Sequence, residues 1–293
     1  MAKAQRFPVL VATDGSDVGT AAVNGAVAFP WPSSSEGHGV VVRSATKLVD
    51  VPDSVFAEIE RGWTTTAEAA RKILARRWRD AKVGVVDGPI VDAILQRAGR
   101  MNARVVVVGS HGHGALMRLL LGSTSLGLVR HWRRATLVVR GQTSFNSIAL
   151  ALDGSPHSKR TVKFVAGLQP PRGGQVTLLS VVEPVVVPSL ALIPESAGGL
   201  IQFEAGKENT QREKRLRAVC ETAAAELRAA GWKVDVKIRK GSPLNELLAG
   251  VKAARAQVLA IGARGTSGVE RLLLGSVCEG ALHRATVSVL VVR

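Results

Sequence analysis

Residues 109–125 read GSHGHGALMRLLLGSTS, and residues 262–278 read GARGTSGVERLLLGSVC. Each copy opens with Gly-x-x-Gly, continues for nine residues and closes on Gly-Ser, and matched positions are 153 residues apart. A glycine-rich pattern that returns at one fixed spacing indicates a duplicated domain. We therefore expect two similar domains in this 293-residue chain, residues 1–141 and 146–293, with a short linker between them.

Matching strand and helix patterns surround the two motifs. The first half begins with PVLVATDGS and the second with SIALALDGS, and both are apolar on consecutive residues, which is typical of strands covered on both faces. Ser16 and Ser155 follow these strands, where a serine serves either as a helix N-cap or as a ligand contact. Each half continues as β-α-β-α-β-α-β-α-β. This order predicts an α/β fold of two tandem, doubly wound, five-stranded parallel sheets with right-handed crossovers.

The two halves differ mainly in the middle. The predicted ranges are 39–46 and 175–182 for the second strands, 53–82 and 204–230 for the long helices, and 82–88 and 233–241 for the third strands. The distance from Asp153 to Gly241 is 14 residues longer than the distance from Asp14 to Gly88. The extra residues fall in 183–205, which is rich in Pro and Val. We expect a longer loop there, either a lid or partner surface or a simple filler.

The composition excludes several classes of protein. No segment has the roughly 18–20 consecutive apolar residues of a membrane helix, and the first residues lack the layout of a signal peptide. The two cysteines, Cys220 and Cys278, are too few for a disulfide framework and lack the spacing of metal ligands. We therefore expect a cytoplasmic protein with no membrane partner and no protein-built metal site.

The net charge of +16 leaves two interpretations open. The densest basic run is interrupted by apolar residues: Arg71, Lys72, Ile73, Leu74, Arg76, Arg77, Trp78 and Arg79. The apolar positions suit one buried helix face, which would leave the charges on a solvated face. A nucleic-acid surface is the competing interpretation. It is not favoured, because tyrosine is absent and the aromatic content of 4% offers no platform for stacking bases.

The glycine motifs follow the predicted fourth strands, where a ligand site is expected. Ligands of open parallel sheets bind beyond the carboxyl ends of the strands, where the strand order reverses. Asp14 and Asp153 end the first strands, and Gly109 and Gly262 end the fourth. Glycine lets the backbone approach a phosphate closely, and a helix that begins at Gly-Ser favours an anion. The acidic residues suit ribose hydroxyls or a purine edge. The alternative is that the glycines serve tight turns and helix–sheet packing.

The elements LVATDGS, VVVVGSHGHG, LLLGSTS and TLVVR, with their second-half partners, resemble the universal stress protein family over nearly the whole chain. The arrangement is similar to the tandem members of that family. The resemblance implies strand order 3-2-1-4-5 in each half and, for the ATP-binding branch, an adenosine–phosphate site at each glycine motif. It assigns the following residues to the nucleotide: Asp14, Gly15, Ala45, Gly109, Gly112, Gly122, Ser123 and Thr124 in the first half, and Asp153, Gly154, Val181, Gly262, Arg264, Gly265, Gly275, Ser276 and Val277 in the second.

The resemblance also implies roles for particular positions. Ala45 and Val181 match a position after the second strand whose backbone meets the adenine. Within the loops, His111 and His113 of the first half correspond in sequence to Arg264 and Thr266 of the second. Arg264 is the better permanent phosphate partner, and we expect both histidines at the loop surface rather than in acid–base catalysis.

Family members commonly pair through their last strands, which hides an open sheet edge. The resemblance therefore implies that residues 137–140 pair with residues 290–293 inside one chain as a pseudo-dimer, with a further homodimer left open. The expected function is regulatory ATP binding, with or without Mg²⁺, that an unidentified protein partner reads. A slow ATPase or adenylate-handling hydrolase is the alternative. No catalytic residue is predicted, because the chain lacks a GxxxxGK[ST] motif and an evident carboxylate pair to activate water.

Overall fold

The computed structural model describes residues 6–43, 53–111, 121–141, 144–184, 195–265 and 274–293. Within these ranges the first half contains β1 (Phe7–Ala12), α1 (Asp17–Ala28), β2 (Ser35–Arg43), α2 (Asp53–Leu74), β3 (Lys82–Asp87), α3 (Ile90–Arg100), β4 (Val105–Gly109), α4 (Ser123–His131) and β5 (Ala135–Val139). The second half contains β6 (Ser147–Ala151), α5 (Pro156–Ala166), β7 (Gln175–Val182), α6 (Glu195–Ala229), β8 (Lys233–Lys240), α7 (Pro243–Ala253), β9 (Val258–Gly262), α8 (Ser276–Arg284) and β10 (Ser288–Val292).

The strands form one ten-stranded sheet in the order β3-β2-β1-β4-β5-β10-β9-β6-β7-β8. Pairing is parallel within each half, and each half has the order 3-2-1-4-5. The two halves meet through β5 and β10, which pair antiparallel with Leu137 opposite Leu290. The predicted α/β fold class and doubly wound strand order are confirmed.

Two apolar layers cover the sheet, and each runs through both halves. One layer lies under α1, α2, α5 and α6, and the other under α3, α4, α7 and α8. Every residue of β4, β5, β9 and β10 is buried, because helices cover both faces of these central strands. This double burial explains their continuous runs of valine and leucine, since a strand with one solvated face would alternate apolar and polar residues.

Arginines join the two halves beside the central strand pair. The Arg140 guanidinium, after β5, donates to the carbonyl oxygen of Leu282 in the last turn of α8. The Arg293 guanidinium, after β10, donates to the carbonyl oxygens of Val129 and Arg130 in α4, at 3.1 and 2.7 Å from Nη2. Each half therefore satisfies carbonyls that the helix of the other half leaves open at its C-terminus.

The long helices differ from their predicted bounds. Helix α2 ends at Leu74 rather than at residue 82, because the chain turns so that Trp78 packs over β2, where a Cβ on Gly37 would overlap its ring. Helix α6 begins at Glu195 rather than at residue 204. The loop predicted for 183–205 is therefore wrong for residues 195–205, and residues 185–194 lie outside the described residues. Ion pairs at i,i+4 spacing, such as Arg212–Glu208, support the exposed length of α6.

The structure differs slightly from the predicted bounds of strand β2 and agrees with the prediction for the basic run. Strand β2 begins at Ser35 rather than at residue 39, because Ser35 already pairs with Phe7 of β1. The charged side chains of the basic run are exposed while Leu74 and Trp78 are buried, as the solvated-face interpretation predicts. The Arg77 guanidinium additionally donates to the Trp31 carbonyl at 3.1 Å. Among the described residues, no helix combines the length and apolar character that a membrane span requires.

Candidate functional site

The first strand of the first half ends in a tight acidic turn. Asp14 Oδ1 accepts hydrogen bonds from the Ser16 backbone nitrogen at 3.1 Å and from Ser16 Oγ at 2.6 Å. Ser16 Oγ in turn accepts from the Gly19 nitrogen at 3.0 Å, which confirms Ser16 as the N-cap of α1. Gly15 has φ of +80°, a conformation that strains a residue with a side chain. The turn thereby holds the Asp14 carboxylate at the carboxyl end of β1.

The second half repeats this turn with one altered bond. Asp153 Oδ1 accepts from the Ser155 nitrogen at 3.0 Å, and Ser155 Oγ caps α5 by accepting from the Ser158 nitrogen at 3.2 Å. Ser155 Oγ, however, donates to the Arg264 carbonyl oxygen at 3.4 Å, whereas Ser16 Oγ donates to Asp14. Gly154 matches Gly15, with φ of +81°. Asp153 is exposed, whereas Asp14 is half-buried.

The glycines that end β4 and β9 are required by close packing. A Cβ on Gly109 would lie 2.7 Å from Val18 Cγ1 and 2.9 Å from the Val18 carbonyl oxygen. A Cβ on Gly262 would lie 2.8 Å from His157 Cβ and 2.9 Å from the His157 carbonyl carbon. These positions therefore admit the first turns of α1 and α5 against the sheet, so the packing interpretation holds for both glycines, which also line the pockets described below.

The Gly-Ser pairs begin helices α4 and α8. Gly122 and Gly275 are their N-cap residues, and among the described residues no side-chain hydrogen bond caps either helix. The Gly122 nitrogen donates to the Ser110 carbonyl at 2.7 Å, and the Gly275 nitrogen donates to the Ala263 carbonyl at 2.9 Å. These bonds fix the helix starts beside the ends of β4 and β9. The N-terminal dipole of each helix favours an anion there.

The first-half pocket, of about 570 Å³, brings most of the assigned residues together. The assigned residues that line it are Asp14, Gly109, Gly122, Ser123 and Thr124. Gly15 shapes the turn and is not part of the lining, and Ala45, Gly112 and His113 lie outside the described residues. His111 is half-buried and lines the pocket, with Nδ1 3.0 Å from Ser110 Oγ. Trp63 of α2 also lines the pocket and was missed.

The second-half pocket, of about 940 Å³, has the same construction. The assigned residues that line it are Asp153, Val181, Gly262, Arg264, Gly265, Gly275, Ser276 and Val277, whereas Gly154 again shapes the turn. A Cβ on Gly265 would lie 2.8 Å from Asp153 Oδ2, so the glycine loop lies directly against the aspartate. Thr266 lies outside the described residues. Sequence reasoning missed Glu183, Arg212, Arg215 and Leu216.

The position assigned to Val181 requires a correction. Val181 lies inside β7, which extends to Val182, and not after the second strand. The sheet registers pair Ala12 with Val40 and Ala151 with Leu179, so the equivalent of Val181 in the first half is Val42. Val42 lines the first pocket. The assignment placed Ala45 opposite Val181 because the end of a strand cannot be located to the residue from an apolar pattern alone.

Burial shifts the pKa values of two cysteines and one histidine in the second half. Burial raises the pKa of the Cys278 thiol to about 12 and that of the Cys220 thiol to about 11, so both are protonated at neutral pH. Burial, reinforced by Arg160 and Arg264, lowers the pKa of His157, which backs onto Gly262. In the described part of the chain, no three His, Cys, Asp or Glu residues are grouped to hold a metal ion.

Comparison with known proteins identifies the family. A model of the universal stress protein family matches residues 6–140 and again residues 144–293. The chain belongs to this family. A universal stress protein of Mycolicibacterium smegmatis is 32% identical over 205 residues, which cover 66% of this chain and 62% of that relative. Universal stress protein YxiE of Bacillus subtilis is 27% identical over 154 residues, 51% of this chain and 99% of that relative. The chain thus spans less than two thirds of the M. smegmatis relative.

Solved structures share the fold along the whole chain. A universal stress protein from Archaeoglobus fulgidus has a TM-score of 0.67 and 21% identity, and the match covers 99% of both chains. A functionally unknown protein from Pseudomonas aeruginosa PAO1 has a TM-score of 0.63 and 15% identity, with 98% of this chain and 92% of that chain covered. At these identities the likeness establishes a common fold for a tandem universal stress protein.

Proposed function

We propose that this universal stress protein binds an adenine nucleotide, with ATP as the ligand, in each half. One observation carries the proposal. In both halves the aspartate that ends the first strand lines the same pocket as the Gly-Ser pair that begins an uncapped helix. A carboxylate and a helix N-terminus in one pocket suit the two ends of a nucleotide, because ribose hydroxyls donate hydrogen bonds and phosphates accept them.

The chemistry of the pocket residues matches this ligand class. Asp14 and Asp153 would accept from ribose hydroxyls, and the first turns of α4 and α8, with Ser123 and Ser276, would donate to phosphate oxygens. Apolar side chains such as Val42 line the remainder and would cover the base. Both volumes lie in the range of roughly 300–1,000 Å³ that is usual for ligand pockets. Whether Mg²⁺ accompanies the phosphates is a separate question, which titration with and without the metal answers.

The proposed role of the nucleotide is regulatory. A bound ligand shifts a protein between conformations only as far as its affinities for those conformations differ. We expect the nucleotide to stabilise one conformation of the chain and so to change the surface that a protein partner meets. No catalytic step is assigned to any residue in this proposal.

Equilibrium binding of ATP to the full chain tests the proposal. We expect two bound nucleotides per chain, and loss of both when Asp14→Ala is combined with Asp153→Ala. Gly122→Leu should weaken the first site, because a Cβ there already lies 3.1 Å from His111 Cα. Gly84→Ala is the control, since nothing lies within 4 Å of its added Cβ. Absence of ATP affinity in the wild-type chain would overturn the proposal.

A slow hydrolase is the second candidate, and one observation favours it. Asp153 and Glu183 both line the second pocket, so two carboxylates are available to orient a water molecule. We expect ATP turnover to stay at the background rate of hydrolysis. Turnover above that rate, abolished by Glu183→Gln while ATP binding persists, would replace the regulatory proposal by the enzymatic one for this half.

A further inference from the structure

Helix α6 contributes two arginines to the second pocket. Arg212 and Arg215 line it together with Arg264. Arg212 Nε donates to Glu208 at 2.9 Å, and Arg215 Nη2 donates to Gln211 at 3.4 Å, both within the exposed surface of the same helix. Such exposed pairs contribute little free energy. The two guanidinium groups can therefore exchange these partners for a bound anion at small cost.

The first pocket has different side chains at the equivalent positions of α2. The turn glycine Gly15 faces Thr66 and the turn glycine Gly154 faces Val219, so the 153-residue spacing of the glycine motifs also relates α2 to α6. At this spacing the equivalents of Arg212, Arg215 and Leu216 are Ile59, Gly62 and Trp63. The helix that presents two cations to the second pocket thus presents an indole ring to the first.

The second pocket is both more basic and larger than the first. Among the described residues that line the first pocket there is no lysine or arginine, and Asp14 is its charged side chain. The second pocket has the three arginines beside Asp153 and Glu183, and its volume is about 940 Å³ against about 570 Å³. The glycine motifs account for one of the three arginines, because Arg264 of the second motif corresponds to His111 of the first, whereas Arg271 is matched by Arg118.

We propose that the two pockets read different parts of the nucleotide. The second pocket selects for phosphate number: Arg212, Arg215 and Arg264 contact a di- or triphosphate, so it prefers ATP and ADP to AMP. The first pocket recognises the nucleoside by stacking the base on Trp63 and does not discriminate by phosphate number. Guanidinium groups bind phosphates by charge-assisted hydrogen bonds, whereas an aromatic face binds bases irrespective of the phosphates. This inference rests on the proposed adenine-nucleotide function.

Calorimetric titration of full-length single-pocket variants with ATP, AMP and adenosine tests the inference. In the Asp14→Ala chain the measured binding is that of the second pocket, and in the Asp153→Ala chain it is that of the first. In the Asp14→Ala chain we expect ATP to bind at least about tenfold more tightly than AMP, and Arg212→Ala with Arg215→Ala to remove that preference. Raising the salt concentration should reduce it too.

In the Asp153→Ala chain we expect ATP and AMP to bind within about threefold of each other. Trp63→Ala should weaken adenosine binding about tenfold, and Trp63→Phe should restore it. The matched control is Lys214→Ala with Arg217→Ala, which removes two charges from the exposed face of α6 outside the pocket and should leave the ATP preference intact.

The outcomes separate the inference from the proposed function. An equal ratio of ATP to AMP affinity in both single-pocket chains would overturn the inference, as would a ratio that survives loss of Arg212 and Arg215. Either result would leave adenine-nucleotide binding in place. Failure of the wild-type chain to bind ATP, AMP and adenosine alike would instead overturn the proposed function itself.

Discussion

The two pockets of this chain are built on equivalent elements and differ in their lining side chains, including those that enter from α2 and α6. Both have a strand-end aspartate, a packed strand-end glycine and an uncapped helix start. Helix α2 adds Trp63 to the first pocket, whereas α6 adds Arg212 and Arg215 to the second. The part of the site that the sheet builds is thus alike in the two halves, whereas the covering helices carry different side chains.

The difference teaches that the strand-end glycines shared by the two halves and the proposed ligand preference have separate physical causes. Gly109 and Gly262 are needed because α1 and α5 approach the sheet at these points, whatever ligand binds. The ligand preference that we propose depends on side chains of α2 and α6, which contact the sheet with one face and border the pocket with another. Equivalent substitutions at the two strand-end glycines should therefore destabilise the chain by similar amounts. A substitution of a pocket residue on α2 or α6 should change ligand binding only in its own half.

The largest expected effect is on the shared scaffold. Gly109→Val and Gly262→Val should each lower the free energy of unfolding by about 2–3 kcal/mol, because an added side chain overlaps the backbone of α1 or α5. Chemical denaturation measures the change. The control is Gly84→Val in β3, where nothing lies within 4 Å of the added Cβ. If Gly262→Val matched this control, the packing account of the glycines would be wrong.

A medium effect is expected where the halves meet. Arg293→Met should destabilise the chain by about 1–2 kcal/mol, because the carbonyls of Val129 and Arg130 lose their donor at the C-terminus of α4. Arg140→Met should cost less, since its Nη2 reaches one carbonyl, that of Leu282. Thermal unfolding of both variants compares the two sides of the seam, with exposed Arg79→Met as the control. The reverse order of the two variants would contradict the hydrogen bonds described.

The smallest expected effect is a dependence on pH at one position where the two halves differ. His157 of the second half occupies the position of Val18 in the first. Burial lowers the pKa of His157, so the unfolded chain binds the proton more readily. Stability from the neutral ring is therefore present above about pH 6.5 and is lost as the pH falls through that value towards the lower folded pKa.

His157→Val should accordingly lose less stability than the wild type between pH 7 and pH 5, as measured by denaturation at each pH. Exposed His131→Val provides the comparison and should follow the wild-type curve. A His157→Val chain whose stability declines as steeply as that of the wild type would show that another group is responsible. Acid unfolding from paired carboxylates such as Glu213, whose pKa Lys240 lowers, occurs at lower pH and should persist.

Much of the site was predictable because its signals are local in sequence. Asp14-Gly15-Ser16 after an apolar strand predicts the acidic turn and the N-cap, and Gly122-Ser123 predicts the helix start, since each depends on neighbouring residues. Trp63 was not predictable as a pocket residue, because its helical spacing is equally compatible with a buried core position. Arg212 and Arg215 carry no local signal either, in a helix with many charged residues.

The sequence by itself determined the duplication, the alternation of strands and helices within each half and the positions of the aspartates and glycines. These follow from the 153-residue spacing and from apolar runs, which record double burial of the strands. The tertiary structure decided which helix faces cover the two pockets, that Val42 rather than Ala45 is the equivalent of Val181, and that α6 extends back to Glu195. The reason is physical: contacts between distant segments depend on strand register and helix placement, and neither is encoded in residues that are adjacent in the chain.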